Sequence, residues 1–534
     1  MSLSPSNNGW YAFASQALSS WSWNFSSCLS GLTGTGGAGG KRFPYPGGRT
    51  TPAEGEQWSS RAGFILAAIG SAVGIGNIWR FSSVVGQNGG GAYLIPYFIA
   101  VFACAFPLMV FELAMGRSFH GTVVGAFRAV RPSFRIAGWF LCATIFLVIC
   151  YYLVITGWTA AYALFSLAGV SITFADFTAS DMPVFFFLFS AAVTTGVVSR
   201  GVRKGIERVS VILIPVSVAI LIVMAFYVTA LPGFLEGTAF LFSPDFSVLF
   251  DPLVWSAAFG QAFFSLSVGT GILLTYGAYM EKGIPIPRSA LVITLADLGV
   301  ALLAGIVIFP LVFTFGLEPA AGAELAFSTL PKAFALMPGG AVFAVSFFLV
   351  LFFAAITSAV SMLEVGVSSL REAVSWSREK TSLLLGLVMV AIGLPSSLSY
   401  SAANWTVGGV KILDFMDETV GTLGLPVAAV ILAMSFSWFA PREILDREIG
   451  RPFAGIVHPL CKYVIPAILL GTTLARLASG IDLADLRLLP GSPWMGTLMQ
   501  VGGMVLIGAG TLIVVSLLCR FGRCPFRQRL FRKG

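Results

Sequence analysis

Residues 63–81 read GFILAAIGSAVGIGNIWRF, and residues 257–279 read AAFGQAFFSLSVGTGILLTYGAY. Each stretch is apolar and long enough to cross a membrane as a helix, yet each is interrupted near its middle. In the first, Gly70, Gly74 and Gly76 stand beside Ser71 and Asn77; in the second, Ser265 and Ser267 precede Gly269 and Gly271. Glycine is costly inside a helix and permits unwinding. A helix unwound at mid-membrane presents the amide-rich start of one half, which attracts an anion, and the carbonyl-rich end of the other, which attracts a cation. Small residues also let helices pack closely. Two matched breaks, each carrying extra polar side chains, exceed what packing requires.

Composition agrees with a chain dissolved in lipid. Of 534 residues, 57% are hydrophobic and 10% charged, and the mean hydropathy is +0.88. Soluble domains carry about 25% charged residues. A soluble enzyme, a nucleic-acid binder and a disulfide-stapled secreted protein are therefore excluded, leaving a multi-spanning membrane protein. The seven cysteines show no pairing pattern, and His120 and His458 stand far apart. There is no Ser–His pair, zinc motif or nucleotide loop, so neither an enzyme nor an organic cofactor is expected.

Apolar stretches recur at 60–82, 90–115, 136–168, 183–199, 208–231, 255–280, 289–316, 341–370, 382–398, 409–439, 459–479 and 495–519. These predict an all-α protein of twelve spans, because lipid offers no partner to a peptide group outside a helix. Residues 1–57, rich in Ser and Gly, read as a flexible cytoplasmic extension, and 520–534 as a basic cytoplasmic tail. Of the 32 Lys and Arg, 27 fall on the termini and alternate loops of one side, four on the other side, and Arg80 within a span. Excess positive charge marks the cytoplasmic side. Both termini are thus expected in the cytoplasm and the spans in the plasma membrane.

The interrupted spans are the first and the sixth. They open two five-span halves, 58–232 and 233–440, followed by two further spans in 441–519. Five being odd, the second half enters the membrane from the opposite side. Interrupted segments at matching positions of an inverted repeat point to a transporter's binding site.

Charge at membrane depth is costly and usually functional. Arg80 follows the first break, and Asp414 and Asp417 lie near the outer part of span 10. Asp297 sits in span 7, Glu112 in span 2 and Glu364 in span 8. Glu112 reads as lying near the inner interface, and Glu364 has no evident partner. Thr357 and Ser358 of span 8, taken alone, read as hydroxyls bonded back to their own helix.

The stretches WSSRAGFILAAIGSAVGIGNIWRF (58–81), QNGGGAYLIPYFIA (87–100) and FPLMVFELAMGR (106–117) resemble the neurotransmitter:sodium symporter family. So do KGIERVSVILIP (204–215), GQAFFSLSVGTG (260–271) and FFAAITSAVSM (352–362). The bacterial amino-acid members, including the leucine transporter, look most similar. The resemblance implies the leucine-transporter-like fold, with two inverted five-helix repeats, helices 1 and 6 unwound, and two C-terminal helices. It implies sodium as coupling ion and a neutral amino acid as substrate. Proton coupling through Asp297 or Glu364, or a channel or sensor on the same scaffold, stands as the alternative.

By resemblance, the first sodium site takes the Ala72 carbonyl, Asn77, Ser265 and Asp297, where the leucine transporter has Asn at the last position. The second takes the carbonyls of Gly70, Val73 and Ala354 with Thr357 and Ser358. The implied substrate pocket is lined by Ser71, Ala72, Gly76, Val148, Tyr152, Phe264, Ser265, Ser267, Thr270, Ser358 and Met362. Arg80, Tyr152, Phe264 and Asp417 match the extracellular gate. Gly74 stands where monoamine members carry Asp, which favours a substrate bringing its own carboxylate. Thr270 replaces a Phe, so a wider or more polar pocket is expected. Ala301 replaces the Ser of chloride-dependent members, and with Asp297 nearby chloride is not expected to be required. Glu372 matches the acid of the intracellular gate, but Gly55 stands where its Arg partner belongs, and Arg61 is a candidate substitute. The oligomeric state is left open.

Overall fold

The computed structural model describes residues 56–243, 246–317 and 325–479. The first eleven expected spans recur as helices, most within a few residues of their predicted ends; the eleventh, expected from 459, already starts at Arg451. Among the described residues, nine helices are each long and apolar enough to cross a membrane: Gly90–Phe119, Pro132–Ala168, Met182–Ser199, Val202–Val228, Ile286–Thr314, Gly340–Val374, Arg378–Leu398, Ile412–Phe439 and Arg451–Leu474. These are spans 2, 3, 4, 5, 7, 8, 9, 10 and 11. Span 1 is the pair Arg61–Ala72 and Gly76–Gln87, bent by 55°. Span 6 is Pro252–Ser265 followed, after six non-helical residues, by Ile272–Ala278. The expected span at 495–519, the tail 520–534 and residues 1–55 lie outside the described residues.

Span 10 starts later than hydropathy suggested. Residues 409–411 belong instead to a hairpin in which Thr406–Val407 pairs with Val410–Lys411. Its two-residue turn is Gly408–Gly409, with φ of 60° and 84°. That left-handed geometry suits a tight hairpin turn and is open to glycine.

The core holds the sites in place. Span 3 packs along span 8, and the second half of span 6 packs along span 2. In the latter contact a Cβ on Gly116 would strike the Leu274 backbone, and one on Gly277 would lie 2.6 Å from the Leu113 carbonyl oxygen. Glycines at both places let the two helices meet backbone to backbone. The outward faces of spans 4 and 5 are apolar, with Phe185, Val223 and Phe226 exposed. This is the pattern of a surface whose solvent is lipid.

Candidate functional site

Both predicted interruptions are present. The first helix ends at Val73, whose ψ of 100° leaves the helical region, and the chain resumes at Gly76. The amide of Gly74 donates to Asn77 Oδ1 at 3.0 Å, so the break is stabilised from within. The second break carries three left-handed residues: Ser267 (φ 53°), Gly269 (φ 79°) and Gly271 (φ 82°). Ser267, the non-glycine among them, donates its hydroxyl to the Ser71 carbonyl at 2.9 Å and ties one break to the other.

At this junction Asn77 Nδ2 donates to Ser265 Oγ at 2.9 Å and to Asp297 Oδ1 at 2.6 Å. Ser265 Oγ donates to Asp297 Oδ2 at 2.8 Å. All three side chains are buried. Three elements distant in sequence thus bring one carboxylate, one amide and one hydroxyl to a point. Hard cations favour such oxygen donors. Ala72, the fourth member expected there, is buried and lines the same cavity.

A second cluster joins spans 1 and 8. Ser358 Oγ lies 3.3 Å from the Gly70 carbonyl oxygen, 3.2 Å from that of Ser71 and 3.5 Å from that of Val73. Thr357 Oγ1 donates to the carbonyls of Phe353 and Ala354 at 3.0 and 3.1 Å. The reading of Thr357 as a hydroxyl bonded to its own helix therefore describes its position, whereas Ser358 reaches across to span 1. A Cβ on Gly70 would lie 3.2 Å from Thr357 Cβ, so glycine there sets the close approach.

One cavity is bounded by Ser71, Ala72, Gly76, Val148, Tyr152, Phe264, Ser265, Ser267, Thr270, Ser358 and Met362. Every residue expected in the substrate pocket lies on it. It extends past Arg80 to Leu425, Thr472 and Thr473. Tyr152 OH accepts from the Ile75 amide at 3.5 Å. A Cβ on Gly76 would lie 2.7 Å from the Phe264 ring. The Arg80 guanidinium sits over that same ring, 4.5 Å from its centre. Among the described residues no ion pair joins Arg80 to Asp417; the Asp417 carboxylate lies beside Gly421, a residue of the cavity wall.

Three acids have partners that differ from the sequence expectation. Glu112 is not at an interface: it is fully buried and accepts from the Gly269 amide, bracing the second break. Glu364 pairs with Arg378 and accepts from Tyr279 OH, the latter at 2.7 Å. Glu372 pairs with Arg128 at 2.7 Å and accepts from Thr122 Oγ1 at 2.6 Å. Arg61, the suggested partner, is exposed and makes no ion pair among the described residues. It begins a helix whose start faces water, whereas Arg128 lies on the short helix Val123–Val130, from which it reaches Glu372. Sequence reading also missed Gln261, whose amide donates to the Gly76 carbonyl at 3.0 Å.

Comparison with known proteins identifies the family. The model of the sodium:neurotransmitter symporter family matches residues 55–180 and 169–515. The chain belongs to the sodium:neurotransmitter symporter family. An uncharacterized sodium-dependent transporter of Bacillus subtilis is 36% identical over 433 residues, covering 77% of this chain and 95% of the relative. One from Methanocaldococcus jannaschii is 34% identical, covering 76% and 89%. The sodium-dependent serotonin transporter of Drosophila melanogaster is 26% identical, covering 78% and 75%. Among solved structures, MhsT in complex with L-phenylalanine is similar with a TM-score of 0.73 and 37% identity, covering 79% of this chain and 99% of MhsT. As a member of the symporter family, the chain is a membrane transporter with the leucine-transporter-like fold.

Proposed function

We propose that this symporter imports a neutral amino acid across the plasma membrane, driven by sodium and working by alternating access. The observation that carries the reading is the meeting of both helix breaks at Asn77, Ser265 and Asp297, the first two of which line a cavity that also holds Tyr152 and Ser358. One sodium ion binds among Ala72, Asn77, Ser265 and Asp297. A second binds among the carbonyls of Gly70, Val73 and Ala354 with Thr357 and Ser358. The substrate carboxylate takes the amide-rich start of the second half of span 1, near Tyr152 OH, and completes the first ion's shell.

Gly74 supports a substrate with its own carboxylate. A Cβ there would lie 2.9 Å from Ser358 Oγ and 3.2 Å from Tyr152 OH, so a side-chain acid at this position would displace the hydroxyls proposed to meet ion and substrate. Phenylalanine in the MhsT complex is consistent with a neutral amino acid. The side chain of Asp297 holds the negative charge beside the first ion, and Ala301 offers chloride no donor, so transport proceeds without chloride. Phe264, Tyr152, Arg80 and Asp417 form the outer gate. Spans 1, 2, 6 and 7 rock against 3, 4, 8 and 9. Coupling arises because ions and substrate bind the two end states with different affinity.

The test is uptake into proteoliposomes, with labelled amino acids competed by a panel of the twenty. Accumulation is expected with sodium outside only, unchanged when gluconate replaces chloride, and absent when a pH gradient is imposed without sodium. Uptake driven by the pH gradient alone would replace sodium coupling with proton coupling. Non-saturating flux would point to a channel.

A further inference from the structure

The segment leading into span 1 is fastened to four elements. Trp58 is buried, donates its indole N–H to the Tyr276 carbonyl at 3.1 Å, and lies against the rings of Phe64, Tyr276 and Tyr279. The Ser59 amide donates to Glu207 of span 5 at 2.9 Å. Arg203, also of span 5, donates to the Gln57 carbonyl at 2.7 Å. Glu56 takes Arg371 at the end of span 8 at 2.6 Å and Arg378 at the start of span 9. Residues 56 and 57, read from sequence as the end of a flexible extension, are thus a strap across the arginine-rich end of the bundle.

The charges on this strap run opposite to the arrangement that the resemblance implies. The resemblance places an arginine on the strap, where this chain has Gly55, and an acid on span 8, where it has Glu372. Here the acid is Glu56 on the strap, and the bases belong to spans 8 and 9. The neighbouring residues Arg371 and Glu372 point to different partners: Arg371 holds the strap, whereas Glu372 holds Arg128 and Thr122 of the Val123–Val130 region.

The pairing also makes release feasible. A buried ion broken from its only partner is strongly destabilising. Arg378, 9% exposed, is shared between Glu56 and the fully buried Glu364, and its Nε donates to the Val198 carbonyl at 2.7 Å. When Glu56 leaves, Arg378 remains neutralised by Glu364. The two charges that lose each other, Glu56 and Arg371, are 17% and 18% exposed, and Arg371 Nε is buried without a partner. Lifting the strap therefore leaves Arg378 paired and places the electrostatic cost of opening on Arg371, which is the energy a latch needs.

We propose that Glu56 is the latch of the cytoplasmic gate, with Arg371 as its catch, and that Glu372 belongs to a separate, static tie to Arg128. Glu56 is a positioning residue: it touches neither substrate nor ion. The inference rests on the alternating-access reading, but its main readout does not require transport.

The test places a cysteine below the chamber by S210C, since Ser210 is buried on span 5 and its Oγ would lie 3.2 Å from a Cβ on Gly70. Its reaction with a thiol reagent is followed in the purified full-length chain, peptide by peptide, by mass spectrometry. Glu56→Gln and Arg371→Glu are each expected to raise the labelling rate at that position at least five-fold. Glu56→Asp, which keeps the negative charge toward both Arg371 and Arg378, is expected to stay within two-fold of the parent. Glu372→Gln is expected to leave it unchanged. Parental labelling in Glu56→Gln, a Glu56→Asp as reactive as Glu56→Gln, or a Glu372→Gln as reactive as Glu56→Gln would overturn the latch. If uptake fails in the parent while labelling follows the expected order, the transport reading falls and the latch stands.

Discussion

Replacing Asp297 by Ala is expected to reduce sodium-driven uptake at least 100-fold. Asp297 contributes two of the oxygens at the junction, and its carboxylate receives both Asn77 Nδ2 and the Ser265 hydroxyl. Without it, the buried Ser265 hydroxyl loses its acceptor, at about 1–3 kcal/mol, Asn77 Nδ2 keeps only Ser265 Oγ and the backbone carbonyl of residue 297, and the proposed first ion loses its only protein carboxylate. Every 1.4 kcal/mol is about tenfold in binding, so two to three such increments reach the stated loss. Asp297→Asn keeps the shape and is expected to be milder, raising the sodium concentration for half-maximal uptake about tenfold. The check is the initial rate of uptake against external sodium. A parental sodium dependence in Asp297→Ala would remove this residue from ion binding.

Gly269→Ala is the other change expected to have a large effect. At φ 79° an L-residue is strained, by about 1–2 kcal/mol. The added Cβ would also collide with the Ala429 methyl of span 10, and overpacking costs about 1–3 kcal/mol more. Relief requires the second break to shift away from span 10, which moves the Gly269 amide off Glu112. Thermal unfolding in detergent should therefore show a clear fall in midpoint, with substrate binding lost before the fold is. Gly260→Ala, which would meet nothing within 4 Å, is the matched control and should behave like the parent. Equal stability and binding in Gly269→Ala would mean that the break does not need its left-handed glycine.

The sequence carried the membrane class, the positions of the spans and both interruptions, because each depends on local composition: apolar runs of membrane length, and glycines clustered within them. The cavity lining was legible only through resemblance. What escaped were contacts made across the fold. Glu112 finds its donor at Gly269, and Glu372 finds Arg128, each far away in the chain. A carboxylate at membrane depth announces that a partner exists without saying where. Glu364 and Arg378 lie closer in sequence, but the turn between spans 8 and 9 hid their meeting. The hairpin at 406–411 was concealed because each strand is only two residues long and the expected span from 409 merges the second of them with the helix that follows.

The most direct measurement is equilibrium binding of a labelled amino acid to the purified protein, selected from the competition panel and titrated with sodium at constant ionic strength. If ion and substrate share one chamber between the two breaks, affinity for the amino acid rises with sodium. Sodium affinity must then rise by the same factor when the amino acid is present, as linkage requires. Binding equally tight when potassium replaces all sodium would contradict the shared chamber.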